Sequence, residues 1–424
     1  MGARHRGTLD LPHAPLQMVH PAAIPGASVA GAEMIRELPA REAAALYPLF
    51  WAALTWSHAP DAGVPDLGSA EAQALARLGE ERCWAAVAVI AGQLAGEGLA
   101  DPTEMGQACF CLADWALARG ACGTATAFTL LAPLVLPRNP RFAWAAGRFL
   151  RQRGCIVEAE AWFRRAHRVA VWRKDPEVQI RALNSLGNIH LTVGRKGFGQ
   201  RLQLKALTLS RRYALRMLEG EVSHDLFVAH ASCGELELAE AAAAVAFDAY
   251  RRGHPKLPLL VHDIAQLWLE QGFHWRSLPI FQALMERRDL PHHGVREFAG
   301  AARAAGAAAE RGLFEHYVAR VWECVPVVPA AVGASALYEV GLGAELLEDF
   351  RYAEGALQRA LELAHTGGAA DVEFQCENAL RRIAGASAAC VEKRRRRELH
   401  RTVPGDDLAM EMARTIGSVV LDSA

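Results

Sequence analysis

The sequence predicts an all-α protein, an array of antiparallel helix pairs. Three observations carry that expectation. Glycines recur at near-regular intervals through most of the chain, each lies between two stretches with apolar residues at helical spacing, and prolines stand between the units. The glycines are Gly120, Gly154, Gly194, Gly234, Gly272 and Gly312, spaced 34, 40, 40, 38 and 40 residues apart. Glycine suits the left-handed residue that ends a first helix, because it has no Cβ to clash there. Residues 141–172 show the unit most plainly. Ala146 and Gly147 precede the turn at Gly154, and Ala159, Phe163 and Ala166 follow it on one helical face.

In chain order, residues 1–30 are rich in Pro, His, Gly and Ala and read as a disordered lead, without the apolar core of a secretory signal. Residues 31–104 read as an N-terminal helical segment, possibly a degenerate repeat. Within it, a helical stretch over 31–58 is interrupted by Pro39 and Pro48 and carries the stripe Leu46, Leu49, Phe50, Leu54. A loop over 59–68 and helical runs over 69–78 and 81–94 follow.

The array of about seven pairs spans 105–366. Five residues after the glycines stand Ala125, Ala159, Gly199, Ala239 and Ser277, small enough for tight crossings; Tyr317 departs from that pattern. Eight residues before them, Leu112, Ala146, Leu186, Leu226, Ile264 and Ala304 keep an apolar register. A seventh pair lacks its glycine, with Phe350 in the turn and Ala353, Leu357 and Ala360 on the second helix. A capping helix is expected within 367–390. Residues 391–424 form a basic tail, with Lys393, Arg394, Arg395, Arg396, Arg397 and Arg401, and a short helix over 408–416. The tail is expected to be exposed and separable from the array.

The unit resembles a tetratricopeptide (TPR) repeat at Gly147, Gly154, Ala159, Phe163 and Ala166, and Leu186-Gly187 is similar to the Leu-Gly pair typical of that family. The resemblance covers roughly residues 105–385. It implies an α-solenoid, a right-handed superhelix whose first helices line a concave groove. It also implies which positions face the groove: thirteen, ten, six and three residues before each turn glycine. These are Arg141, Trp144, Arg148 and Arg151 in one unit, and Arg181, Asn184, Asn188 and Leu191 in the next. His224 and Val228 follow with Glu221 and Ala231, then His262 and Gln266 with Leu259 and Leu269. Arginine offers a planar fork to carboxylate, asparagine pairs with an extended backbone, and tryptophan adds a stacking face. The set is similar to the carboxylate clamp of peptide-binding TPR domains, although Trp144 stands where a basic residue or Asn is usual. The aligned neighbours offer only Asp114 and Glu221 as acids, so a surplus of positive charge is expected to be left for a ligand.

Composition narrows the function classes. The formal net charge of −1 over 424 residues argues against a protein that coats nucleic acid, although local patches can still bind anions. There is no apolar run of the roughly 18 residues a membrane span needs. Nine scattered cysteines read as reduced thiols in a cytoplasmic protein. HExxH, GxxxxGK[ST], GxSxG and CxxC are all missing, so no enzyme, cofactor or metal is expected. The glycine-rich stretch 194–199 reads as an inter-helix turn and His292-His293 as a solvated connector. The expected function is a non-catalytic scaffold or adaptor that binds an acidic or C-terminal peptide segment. The alternative is a TPR-type regulatory sensor acting on transcription or signalling. A nucleic-acid binder using the basic tail is disfavoured, because no aromatic interleaves with those charges.

Overall fold

A computed structural model of the chain describes residues 34, 36–58, 81–95, 102–251, 253–286, 294–385 and 407–421. Among the described residues there are eighteen α-helices, one short 3-10 helix and no strand. The expected lead (1–30), the run over 69–78, His292-His293 and the basic run 393–401 lie outside them.

The chain divides into two compact units, Met1–Ala229 and His230–Ala424. The first holds α1 (Ala40–His58), α2 (Glu81–Ala95), α3 (Pro102–Ala118), α4 (Cys122–Val135), α5 (Pro140–Gln152), α6 (Ile156–Arg173), α7 (Pro176–Thr192), α8 (Lys196–Arg212) and most of α9 (Arg216–Ser232). The second holds α10 (Leu236–Tyr250), α11 (Leu257–Glu270), α12 (His274–Met285), α13 (Val295–Ala307), α14 (Arg311–Cys324), α15 (Ala330–Leu346), α16 (Phe350–Gly367), α17 (Ala370–Gly385) and α18 (Asp407–Leu421). Successive helices pack in antiparallel pairs, so the chain is a helical repeat protein.

The turn inside each pair is built one way. Gly120, Gly154, Gly194, Gly234 and Gly272 have φ between 74° and 84°. At Gly154 the turn N–H donates to Arg151 O and the next N–H, of Cys155, reaches back to Leu150 O. That pattern satisfies carbonyls the helix end leaves open. Two expected turns differ. Gly312 lies inside α14, and the left-handed residue of that pair is Ala309, with φ 61°. In the following pair Glu348 takes the same role at φ 61° rather than Phe350. Both keep the hydrogen bonds of the glycine turns: Glu310 N donates to Ala305 O, and Asp349 N to Ala344 O. Tyr317 is therefore no crossing residue; its hydroxyl accepts from Gln282 Nε2 at 3.0 Å.

Packing within pairs follows from small residues opposite large ones. Seven residues before the turn stand Gly147, Gly187 and Gly341; a Cβ there would lie 2.7 Å from Phe163, 2.6 Å from Gln203 and 2.6 Å from Leu357. Each of those partners is nine residues after the same turn. Ala159, Phe163 and Ala166 are fully buried. Between pairs, Gly306 of α13 meets Gly343 of α15 backbone to backbone.

Helix starts are marked in the sequence and realised in the structure. Asn139 caps α5 by accepting from Arg141 N, and Asp175 caps α7 by accepting from Val178 N; Pro140 and Pro176 open those helices. Glu37, far away in sequence, caps α4 by accepting from Gly123 N at 2.7 Å and Thr124 N at 2.9 Å. Two expectations are corrected at the ends. Pro48 does not interrupt the first helix but lies inside α1, whose stripe Leu46, Leu49, Phe50, Leu54 is buried. The last helix is longer than expected and is not a free appendage. α18 packs on α12, buries Met412 and Ile416 completely, and pairs Glu411 with Arg251 at 2.7 Å.

Candidate functional site

The first helices of the first unit, α5, α7 and α9, are joined side by side through polar side chains. Arg141 Nη2 donates to Glu177 Oε2 at 3.0 Å. The Trp144 indole N–H donates to Ser185 Oγ at 3.1 Å. Arg181 reaches Glu177 on its own helix at 3.2 Å and Glu221 of α9 at 3.2 Å. Asn184 and Asn188 both donate to Asp225 Oδ2, at 2.5 Å and 2.9 Å. Asn188 in turn accepts from the buried Gln203 Nε2 at 2.7 Å, which fixes its amide orientation.

Seven of the ten candidate residues therefore share this face: Arg141, Trp144, Arg148, Arg151, Arg181, Asn184 and Asn188. Trp144 is the centre of the cationic part, with Arg148 4.9 Å and Arg181 5.3 Å from its ring centroid. Arg148 and Arg151 are exposed and have no carboxylate partner among the described residues.

His224 does not join them. It is buried, with its ring 6.4 Å from Phe227. Asp225, one position on, takes the place on the face, because α9 presents residues 221, 225 and 228 there rather than 224. The expected surplus of positive charge is also smaller than the sequence implied. Glu177, Glu221 and Asp225 answer Arg141, Arg181 and the two asparagines, so only Arg148 and Arg151 keep uncommitted charge. Glu177 and Asp225 lie off the single stripe per helix that the turn register marks. Glu177 lies one helical turn before Arg181, the spacing of an ion pair along a helix.

His262 and Gln266 belong to the second unit. The His262 ring lies 5.7 Å from Phe281, and its Nδ1 is 3.5 Å from Glu297 Oε1. Burial pushes the Glu297 carboxyl up, but the His262 ring beside it, with the N–H groups of Glu297 and Gly294, holds it below the usual glutamate range. His262 lines a cavity of about 470 Å³ with Pro255, Pro258, Leu259 and Val332. Gln266 is committed internally: its Nε2 donates to Glu339 Oε1 at 2.9 Å, while Arg303 Nη1 donates to Oε2 of the same carboxylate at 2.9 Å. Burial alone would lower the Arg303 pKa, yet the charge and hydrogen bond of Glu339 raise it.

Among the described residues no three or more His, Cys, Asp or Glu side chains gather as a metal ion requires. No described helix is long and apolar enough to cross a membrane. The stretch 194–199 is the α7–α8 turn and the start of α8.

No protein-family model matches the chain, and no curated protein does. Among solved structures the chain is similar to a circular tandem repeat protein with novel repeat topology and enhanced subunit contact surfaces. The identity is 13% over 98% of this chain and 90% of that one, with a TM-score of 0.17, a likeness too slight to carry an argument.

Proposed function

We propose that the protein is a non-catalytic interaction scaffold of TPR-like helix pairs, and that the first-helix face of α5, α7 and α9 binds an extended acidic peptide segment. One observation carries the reading. Trp144 has the guanidinium groups of Arg148 and Arg181 beside its ring, on a face where Arg141, Arg181, Asn184 and Asn188 are held in place by Glu177, Glu221 and Asp225. Side chains fixed in this way lose little freedom on binding, which favours affinity. Arg148 and Arg151 supply the uncommitted charge for a ligand carboxylate, and Trp144 supplies apolar area beside it. The TPR reading is supported by the small-against-large contact at Gly147 and Phe163 and by the repeated turn. The thiols spread singly through the helices keep the proposed location cytoplasmic.

The test is a panel of fluorescein-labelled acidic peptides, with and without a free C-terminal carboxylate, titrated by fluorescence anisotropy against the full chain. Binding that weakens with salt and is lost in Arg148→Glu/Arg151→Glu is expected. Equal binding by that variant removes the reading.

A further inference from the structure

The opposite layer of the same unit carries a second charged surface that the peptide reading does not use. α8 holds Lys196, Arg201, Lys205, Arg211 and Arg212 and no Asp or Glu. α6 holds Arg164, Arg165, Arg168 and Arg173 against Glu158 and Glu160. The whole chain has a net charge of −1, so this is segregation and not a basic composition.

A continuous set of contacts ties the two helices together. Glu160 accepts from Arg164 Nε at 3.0 Å and stands 3.8 Å from His190 Nε2 of α7. The His190 ring packs edge-on against Phe198 of α8 at 4.5 Å, and Arg201 lies 5.5 Å from the Phe198 ring. Glu160 thus stands between the Arg164 guanidinium and the His190 ring, whose burial disfavours its protonation. Arg168, Arg201, Lys205 and Arg212 are exposed and have no carboxylate partner among the described residues. Beneath them Arg165 is 1% exposed, and none of its three guanidinium nitrogens has an acceptor. A buried guanidinium without a counter-charge is costly and adds to the positive potential above it.

Exposed aromatic rings are set among these cations. Phe198, Trp172 and Tyr213 are 43%, 44% and 46% exposed. Each lies beside a guanidinium: Arg201 for Phe198, Arg138 and Arg173 for Trp172 at 5.6 Å and 5.9 Å, and Arg212 for Tyr213 at 5.8 Å.

We propose that the second-helix face formed by α6 and α8 binds single-stranded nucleic acid, with phosphates on Arg168, Arg201, Lys205 and Arg212 and bases stacked on Phe198, Trp172 and Tyr213. The interleaving decides the class of partner. An acidic peptide satisfies the cations and leaves the rings without a match. A membrane surface takes its apolar side chains as one inserted block, whereas here they are dispersed between charges. A single strand presents phosphates and flat bases in alternation, and stacking on aromatic side chains is tolerant of sequence.

The test is anisotropy of a fluorescein-labelled oligouridylate with the full chain, read between about 50 and 200 mM salt. Wild type is expected to bind with a log–log salt slope of about −3, four phosphates at roughly 0.7 each. Arg201→Glu/Lys205→Glu is expected to weaken binding at least about tenfold and flatten the slope, since each lost phosphate contact removes its share of released counterions. Phe198→Ala is expected to weaken it severalfold with the slope unchanged. Arg148→Glu, on the other face, is expected to leave it intact. The substituted residues are exposed, and unchanged circular dichroism melts establish that each variant is folded; Arg168→Glu is the replacement for any that is not. Failure of wild type to bind at the lower salt overturns the proposal, and so does undiminished binding by Arg201→Glu/Lys205→Glu. Tighter binding of polyglutamate or of phosphatidylserine vesicles than of oligouridylate also overturns it.

Discussion

A Cβ built on Gly147 would stand 2.7 Å from Cδ1 of Phe163. The two helices of that pair touch where one of them has no side chain. Gly147→Ala is expected to overpack the crossing and cost about 1–3 kcal/mol, as is Ala159→Phe one turn along the partner helix. Urea unfolding of both variants measures this. A midpoint equal to wild type in both means that the crossing is looser than its geometry.

The turns give a test of opposite sign. Ala309 and Glu348 occupy the left-handed conformation that glycine occupies in the earlier pairs, at φ 61° each. Ala309→Gly and Glu348→Gly are each expected to stabilise by about 0.5–1 kcal/mol, because strain at Cβ outweighs the extra entropy of an unfolded glycine. Gly154→Ala, at φ 76°, is expected to destabilise by a similar amount. Thermal melts of the three variants should therefore fall on both sides of wild type, two above and one below.

Asp225 holds two amides on one oxygen. Asp225→Ala leaves Asn184 and Asn188 without that acceptor and is expected to cost about 1–3 kcal/mol. Asp225→Asn keeps an acceptor oxygen and is expected to cost less. If Asp225→Ala unfolds at the wild-type denaturant concentration, the asparagines are not held by that carboxylate.

Glu297 supplies a pH dependence. Its folded pKa lies below the ordinary glutamate value, so its stabilisation is full above the unfolded pKa of about 4.3 and is lost as pH falls through the folded value. Glu297→Gln is expected to melt below wild type at neutral pH, with the gap closing as the pH falls below about 4. A gap that stays constant with pH means that the His262 contact carries no charge-dependent stability.

Much of the fold was legible because the repeat puts one physical demand at one position. Five of six expected glycines are left-handed, since a helix that ends in that conformation favours a residue without Cβ. Ala309 and Glu348 were not legible: their turns accept the strain, and a nearby glycine, Gly312, drew the register three residues too far. The shared face of Arg141 through Asn188 was expected from the TPR resemblance, with helical spacing placing Arg141, Arg148 and Arg151 on one side of α5. Its acids did not, because Glu177 and Asp225 engage it from positions the count passed over. The α6–α8 charge was hidden in a net charge near zero; it shows only when residues are sorted by helix layer.

The proposed acidic peptide lies across the first helices at Trp144. The Trp144 indole N–H, hydrogen-bonded to Ser185, is a reporter inside that site. The measurement is its ¹⁵N–¹H resonance, assigned by Trp144→Phe, during titration with the tightest-binding peptide of the acidic panel. The resonance is expected to shift in step with binding in wild type and to stay still in Arg148→Glu/Arg151→Glu. A peptide that binds with the Trp144 resonance unmoved, or that moves it equally in the variant, contradicts the account.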